Sequence, residues 1–551
     1  MMIGLVALVF LSCVIGTSQL TDYKPIDLVN SDAPIVNTEY GKVRGVNLEN
    51  ANAFFGIPYA DPPTGKYRWK PARQRTSWSP NILNATEDPA ACPQSCFLPP
   101  HTCPNKTSED CLSLTVFSPL TSTPASKFPV LVFFHGGNFR QGSGYSLLQD
   151  GRYIANKTNT IVVFVNYRLG ALGFLVAGDG PDAAHGNYGI LDQRFALEWI
   201  RDNIANFGGN PGKVTISGQS AGAQSVAIHL TSPKSDNLFH QAIMESNPFT
   251  LPFRTKSDSI NQAKYFAEDL GCKAGDVDCM RAKPAEEVVD AQQNSSTKIV
   301  NVFRLLELFE PWGPYVDGIE IAQQSVDAFR QNAFQKKPIL VGTTSDEARA
   351  NLFVAIPKPM DKLQYYEYTV AIMLQHSLRV LLKYPPAKSG DQREELSEMG
   401  HPYLFVCPNR VVHRAVAAQK VPIWTYVFDH ALSFDGWGPN FTFCDHHACH
   451  GSELPFVFHS VNLAGLHYSD AEKVLADSMV TYWGNFVHTG NPNSQGWEQN
   501  ETNKGIKSLL DWPTYDEASA RYMNFSTPQN KIGSQYMGKD CDFWDSLHAY
   551  P

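Results

Sequence analysis

The chain has 551 residues, 43% of them hydrophobic and 12% aromatic, enough apolar material for a large buried core. Its 45 basic and 54 acidic side chains give a net charge of −9 and are spread rather than blocked, which excludes a basic stripe for nucleic acid. The acidic balance bears on solubility more than on substrate.

From the N-terminus, Ile3 to Ile15 is an apolar run broken only by Ser12 and followed by Gly16, Thr17 and Ser18. Its length suits the h-region of a signal peptide and is too short to cross ~30 Å of hydrocarbon as a helix, although no Lys or Arg precedes it. Cleavage after Ser18 is expected, so that residues 1–18 are a signal segment and the protein is secreted or enters the lumen of a secretory-pathway vesicle. No later run is apolar and long enough for a transmembrane anchor. The last residues, His548-Ala549-Tyr550-Pro551, are neither an ER-retention signal nor an anchor tail.

Further along, Phe128 to Phe134 (FPVLVFF) and Thr160 to Val165 (TIVVFV) read as buried strands. Between Gly189 and Ala205 the apolar residues Ile190, Leu191, Ala196, Leu197, Ile200 and Ile204 recur near helical spacing, before a turn from Phe207 to Pro211. Lys213 to Ser217 (KVTIS) is a short strand, Ala223 to Leu230 a helix, and strand-like runs return at Pro338 to Val341 and Ile423 to Phe428. Alternating strands and helices predict an α/β fold with a large, mostly parallel central sheet covered on both faces. With no repeat, low-complexity tract or long linker, residues 19–551 read as a single domain.

Without Cys13 of the signal, an even set of cysteines remains, which in an exported chain reads as disulfides. Sequons at Asn84, Asn105, Asn156, Asn294, Asn440, Asn500 and Asn524 are candidate glycosylation sites.

Gly218-Gln219-Ser220-Ala221-Gly222 matches G-x-S-x-G, a pattern that chance supplies about 0.2 times in a chain this long. Its setting carries more weight: a strand leads in and a small-residue helix leads out, the strained turn that exposes a serine hydroxyl above a sheet. The helix N-terminus behind it favours developing negative charge. Acyl transfer also needs donors aimed at the oxyanion. His135-Gly136-Gly137-Asn138 follows FPVLVFF directly, and the backbone N–H groups of Gly137, Asn138 and Ala221 are the expected oxyanion trio.

These residues sit within longer blocks that resemble the type-B carboxylesterase and cholinesterase family. FFGIPYADPPTGKYRW (from Phe54), SEDCLSLTVFSP (from Ser108), VNYRLGALGFL (from Val165), the run Gly186 to Gly222 and YWGNFVHTGNPN (from Tyr482) are all similar to its motifs. The resemblance implies an α/β-hydrolase with a Ser–Glu–His triad in that chain order. Its acid would be Glu347, in Gly342-Thr343-Thr344-Ser345-Asp346-Glu347, and its base His450, in His450-Gly451-Ser452-Glu453-Leu454-Pro455. It also implies disulfides Cys92–Cys111, Cys272–Cys279 and Cys407–Cys541, which leaves Cys96 with Cys103 and Cys444 with Cys449. No cofactor is implied. His430 and His488 read as structural histidines.

The cluster Cys444-Asp445-His446-His447-Ala448-Cys449-His450 has spacings that could hold zinc. It lacks H-E-x-x-H, and an oxidising compartment favours pairing the two thiols, so no metal is expected. Departures from the family pattern bear on substrate. There is no Trp between Cys92 and Cys111, with His101 where a choline-stacking ring would stand, and Gln219 replaces the usual Glu before the nucleophile. A small-molecule ester with a short or medium acyl chain is expected rather than a choline ester. The Asn138 side chain is expected to crowd the acyl oxygen, and the short Cys92–Cys111 loop argues against a large mobile lid. The alternative is a catalytically vestigial relative serving as an adhesion, binding or secretory-vesicle storage glycoprotein.

Overall fold

The structure, a computed structural model, describes residues 33–494, 496–497 and 509–550. The expected signal segment 1–18 and the sequon at Asn500 lie outside the described residues. The architecture is an α/β-hydrolase built on an 11-stranded sheet. In chain order its strands are β1 (Val46–Asn47), β2 (Ala51–Pro58), β3 (Ser113–Pro119), β4 (Phe128–Phe134), β5 (Ile161–Val165) and β6 (Gly209–Gln219). They continue with β7 (Gln241–Glu245), β8 (Ile339–Thr344), β9 (Ile423–Phe428), β10 (Arg521–Phe525) and β11 (Lys531–Ser534). The spatial order is β11-β10-β9-β8-β7-β6-β4-β5-β3-β2-β1. From β5 to β10 every neighbouring pair is parallel, and both ends of the sheet are antiparallel.

The central strands form because their residues are β-branched or aromatic and are covered on both faces. Val130 to Phe134 and Ile161 to Val165 are almost wholly buried, each large side chain contributing roughly 1.5–3 kcal/mol of transfer free energy. The expected turn from Phe207 to Pro211 is shorter than its Gly and Pro content suggests. A 3-10 turn over Ile204–Phe207 ends on Gly208 at φ 89°, and β6 already pairs with Phe128 at Gly209. The ladder then slips between Gly209 and Val214, where Pro211 has no N–H to donate.

Helix α1 (Tyr188–Asn203) is tied to the end of β5 by a buried ion pair. Arg168, 3% exposed, meets fully buried Asp192 through Nε–Oδ2 at 2.7 Å and Nη2–Oδ1 at 2.6 Å, while its Nη1 donates to the Lys70 carbonyl. Removing one partner leaves an uncompensated buried charge. Asp192→Ala is therefore expected to cost about 3–5 kcal/mol of stability, measurable by urea unfolding, whereas truncating the exposed Asp202 that pairs with Arg201 should cost under about 1 kcal/mol.

Candidate active site

Strand β6 ends at Gln219 and helix α2 (Ala221–Thr231) begins at Ala221, so Ser220 alone makes the turn. It does so at φ 58° and ψ −122°, in the left-handed half of backbone space that side chains other than glycine avoid. The N–H of Ser220 donates to the Glu245 carbonyl at the end of β7 (2.9 Å), which pins the turn to the sheet. The glycines on either side are steric necessities. A Cβ on Gly222 would stand 1.9 Å from the Phe134 carbonyl oxygen, and one on Gly218 would stand 2.4 Å from the Gly222 carbonyl. Gly136 is less tightly constrained, a Cβ there falling 2.7 Å from the Gln219 carbonyl oxygen and 3.0 Å from Ser220 Cβ.

Glu347 is the first residue of helix α3 (Glu347–Ala355), directly after β8, and is wholly buried. Its Oε1 accepts from the Thr344 N–H (2.7 Å) and its Oε2 lies 2.5 Å from His450 Nδ1. Neighbouring Asp346 turns the other way, to His447 Nδ1 at 2.5 Å and Arg349 Nε at 3.5 Å. The structure thus separates two acids that are adjacent in sequence. The loop carrying His450 is held by a bridge between Asp346 and Cys449 and by the Cys444–Cys449 disulfide. The other disulfides are Cys92–Cys111, Cys96–Cys103, Cys272–Cys279 and Cys407–Cys541. With Cys444 and Cys449 bonded to each other, neither thiol is available to a metal, and among the described residues no group of three His, Cys, Asp or Glu could hold an ion.

His450 Nε2 faces Gln219 Nε2 at 3.0 Å, and among the described residues no hydrogen bond joins it to Ser220 Oγ. With Nδ1 carrying the proton shared toward Glu347, Nε2 presents a lone pair, and the Gln219 amide donates to it. Burial by itself lowers the imidazole pKa. The Glu347 carboxylate, helped by Glu453 and Glu310, outweighs burial and holds it above the ordinary value of 6.5.

On the other side of Ser220, Gly137 (φ 106°) and Asn138 (φ 53°) turn the oxyanion loop. The N–H groups of Gly137, Asn138 and Ala221 have no acceptor among the described residues. The Asn138 side chain, on a residue at positive φ, donates from Nδ2 to the Phe309 carbonyl at 3.3 Å. His430 and His488 are occupied structurally, on Glu472 (2.9 Å) and the Thr158 carbonyl (2.7 Å). The asparagines of the sequons at 84, 105, 156, 294 and 440 are exposed, and Asn524 is partly buried on β10.

Sequence reading missed an acidic layer beneath the site. Glu245 and Glu453 are wholly buried, with no basic partner and one unpaired oxygen each. Glu245 Oε1 accepts from Trp483 Nε1 (2.9 Å) and Glu453 Oε1 from Ser246 Oγ (3.3 Å). Desolvation, then mutual repulsion, lifts Glu245 to about 8, and desolvation and Glu347 lift Glu453 to about 7. Glu453 lies within the His450 to Pro455 segment and Glu245 ends the short strand Gln241–Glu245, and neither position carries a local signal of burial beside other acids. Both lie far above the ordinary 4.5, so between pH 4.5 and 8 the unfolded chain ionises while the fold keeps its protons. Their contribution to stability is present at low pH and lost as pH rises through 7 to 8. Glu245→Gln should remove part of that slope, so urea unfolding free energies of wild type relative to this variant should fall between pH 5 and pH 8.5.

A serine on a strand-to-helix elbow, with an acid and a histidine after later strands, places the molecule among the α/β-hydrolases. The chain belongs to the carboxylesterase family, whose model matches residues 32–544. It is 38% identical over 468 residues to the cAMP-regulated D2 protein of Dictyostelium discoideum, covering 84% of this chain and 85% of that protein. Likewise it is 38% identical over 461 residues to the Crystal protein of Dictyostelium discoideum, covering 82% and 81%. To an acetylcholinesterase of Bungarus fasciatus it is 32% identical over 544 residues, covering 93% and 86%.

Proposed function

We propose that the protein is an exported serine esterase whose residues 19–551 form one catalytic domain hydrolysing small carboxylic esters at Ser220. The observation that carries this reading is a serine held at φ 58° and a histidine braced by Glu347, with the N–H groups of Gly137, Asn138 and Ala221 left without an acceptor among the described residues. His450 Nε2 takes the Ser220 proton as Oγ adds to the ester carbonyl. The oxyanion is received by the three N–H groups, and the imidazolium is stabilised by Glu347. His450 then protonates the departing alcohol, and water, activated by the same Nε2, releases the acid from the acyl-enzyme. Gln219 must yield Nε2 to Ser220 before the first step, so substrate entry and a shift of that amide go together.

Export is supported by the five disulfides and by the exposed sequons. No helix among the described residues is long and apolar enough to cross a membrane.

A second reading, a binding or storage glycoprotein with a resting site, draws on the Gln219–His450 contact. Fluorophosphonate labelling separates the two. Labelling lost in Ser220→Ala, with p-nitrophenyl ester turnover down at least about 10⁴-fold, supports the esterase; absence of both in the wild type supports the second reading.

Glu347→Gln is expected to lower kcat by about 10³–10⁴-fold. Because the Glu347 carboxylate is what raises the imidazole pKa, the acid limb of kcat/KM should also move to lower pH in that variant, which a pH–rate profile checks.

A further inference from the structure

A carboxylate that orients an imidazole must itself be held. Thr344 holds the Glu347 side chain through Oε1. Its backbone N–H is one of the orphan donors at the start of α3, and it is taken by a histidine that ester hydrolysis leaves unused. The Glu347 N–H donates to His401 Nδ1 at 3.3 Å, and His401 is buried.

His401 opens a π-helical segment, His401–Val406, set between helices α4 (Arg393–Gly400) and α5 (Cys407–Ala418). Pro402, which has no N–H to give to the preceding turn, stands near its start. Single π-helical turns of this kind are rare and concentrate at functional sites. This one sends a residue to each member of the acid–base pair. His401 meets the Glu347 N–H, and the Phe405 ring lies 5.2 Å from the His450 ring at 54°.

The tautomer of His401 follows from its partners. An N–H facing Nδ1 needs a lone pair there, so the proton of the neutral ring sits on Nε2. Burial favours the neutral ring, lowering its pKa below 6.5 against the pull of Glu347, Asp346 and Asp540. Nε2–H then donates to Tyr536 Oη at 3.1 Å. Tyr536 precedes helix α6 (Gly538–Leu547), and Cys541 of that helix is bonded to Cys407, the residue that follows the π-helical segment. Histidine and tyrosine, 135 positions apart, are thus stapled together, and the ring is held in one orientation.

We infer that His401, fixed by Tyr536, is a positioning residue for the catalytic acid, holding the Glu347 backbone so that Oε2 stays on His450 Nδ1. The inference rests on the esterase reading and adds a residue outside the triad. Without the Nδ1 acceptor, the first residue of α3 is free to shift, and a displacement of about 1 Å at a catalytic group costs as much as about 10²-fold in rate. The effect belongs in kcat. Among the described residues no hydrogen bond joins His401 or Tyr536 to Ser220 or to the Gly137, Asn138 and Ala221 N–H groups.

The test uses the full-length protein, with active sites counted by fluorophosphonate titration and p-nitrophenyl butyrate turnover followed from about pH 5 to about pH 9. His401→Leu keeps bulk and loses the acceptor. Its kcat should fall about 10- to 100-fold with KM changed less than about threefold. The acid limb of kcat/KM should move to lower pH, because a loosened Glu347 raises the imidazole pKa less. His401→Asn, whose Oδ1 stands where Nδ1 stood and still accepts, should recover most of the loss. Tyr536→Phe removes one hydroxyl and should lower kcat about fivefold, with a smaller shift of the acid limb in the same direction. In a Glu347→Gln background, His401→Leu should lower kcat no further. A kcat within about twofold of wild type in His401→Leu or in Tyr536→Phe overturns the inference. So does an equal loss in His401→Asn and His401→Leu, an acid limb that stays in place while kcat falls, or a loss that multiplies in full with Glu347→Gln. Each of these leaves the esterase reading standing. If His401→Leu does not fold, Tyr536→Phe decides the matter by the same limits. A wild type that neither labels nor turns over any ester overturns the esterase reading and the inference with it.

Discussion

The turn at Ser220 is the constraint on which the rest of the site depends. Parallel β4, β6 and β7 stop at one level, and the chain must reverse into α2 within a single residue. That reversal holds a side chain at positive φ, a strain of the order of 1–3 kcal/mol that only a well-packed surround sustains. The surround here is specific. The Glu245 carbonyl takes the Ser220 N–H, and Phe134 and Gly222 press together so closely that no Cβ fits between them. Phe134 is also the last residue of β4, so the same contact that creates the elbow sets where the oxyanion loop starts. Ser220 and the loop that carries the Gly137 and Asn138 N–H groups are thereby positioned by one piece of packing.

The second requirement is electrostatic. Three acids, Glu310, Glu347 and Glu453, act on one imidazole in a region from which water is largely excluded, and Glu245 acts in turn on Glu453. Only Glu347 touches His450, and it is held by the Thr344 N–H as well. Glu245, Glu310 and Glu453 make no hydrogen bond to a basic side chain among the described residues, and burial raises all three carboxyls well above the ordinary 4.5. This division of labour suits a base that must become cationic for part of its cycle. A charged carboxylate beside it stabilises the imidazolium, while the raised pKa of the acids behind it limits the negative charge buried there.

Gln219 sets the resting state of this imidazole. Its amide donates to His450 Nε2, the lone pair to which the proposed mechanism gives the Ser220 proton. A carboxylate there could not donate. The resting arrangement therefore has a competitor for the imidazole that is removed by rotation of one side chain rather than by a domain movement. Asn138 likewise gives its side-chain amide to the Phe309 carbonyl, and its N–H has no acceptor among the described residues.

Much of this was legible in the residues. The apolar runs at Phe128 to Phe134 and Ile423 to Phe428 coincide with strands because a buried parallel strand needs no alternation, only continuous β-branched and aromatic side chains. The G-x-S-x-G elbow was legible because its pattern is a contiguous string of five residues, even though the steric demand on Gly222 comes from distant Phe134. Resemblance singled out Glu347 and His450, which spacing alone could not do, since Asp346 and other histidines were equally placed. The chain by itself determined the strand–turn–helix chemistry and the pairing potential of its cysteines. Tertiary structure alone decided that Asp346 turns to His447, that Gln219 meets His450, that Asn138 Nδ2 meets the Phe309 carbonyl, and that Gln224 meets Glu310. Those contacts join residues tens to hundreds of positions apart or depend on which way a side chain rotates off a turn. No local pattern encodes either, because both are set by what the folded sheet brings within a few ångströms.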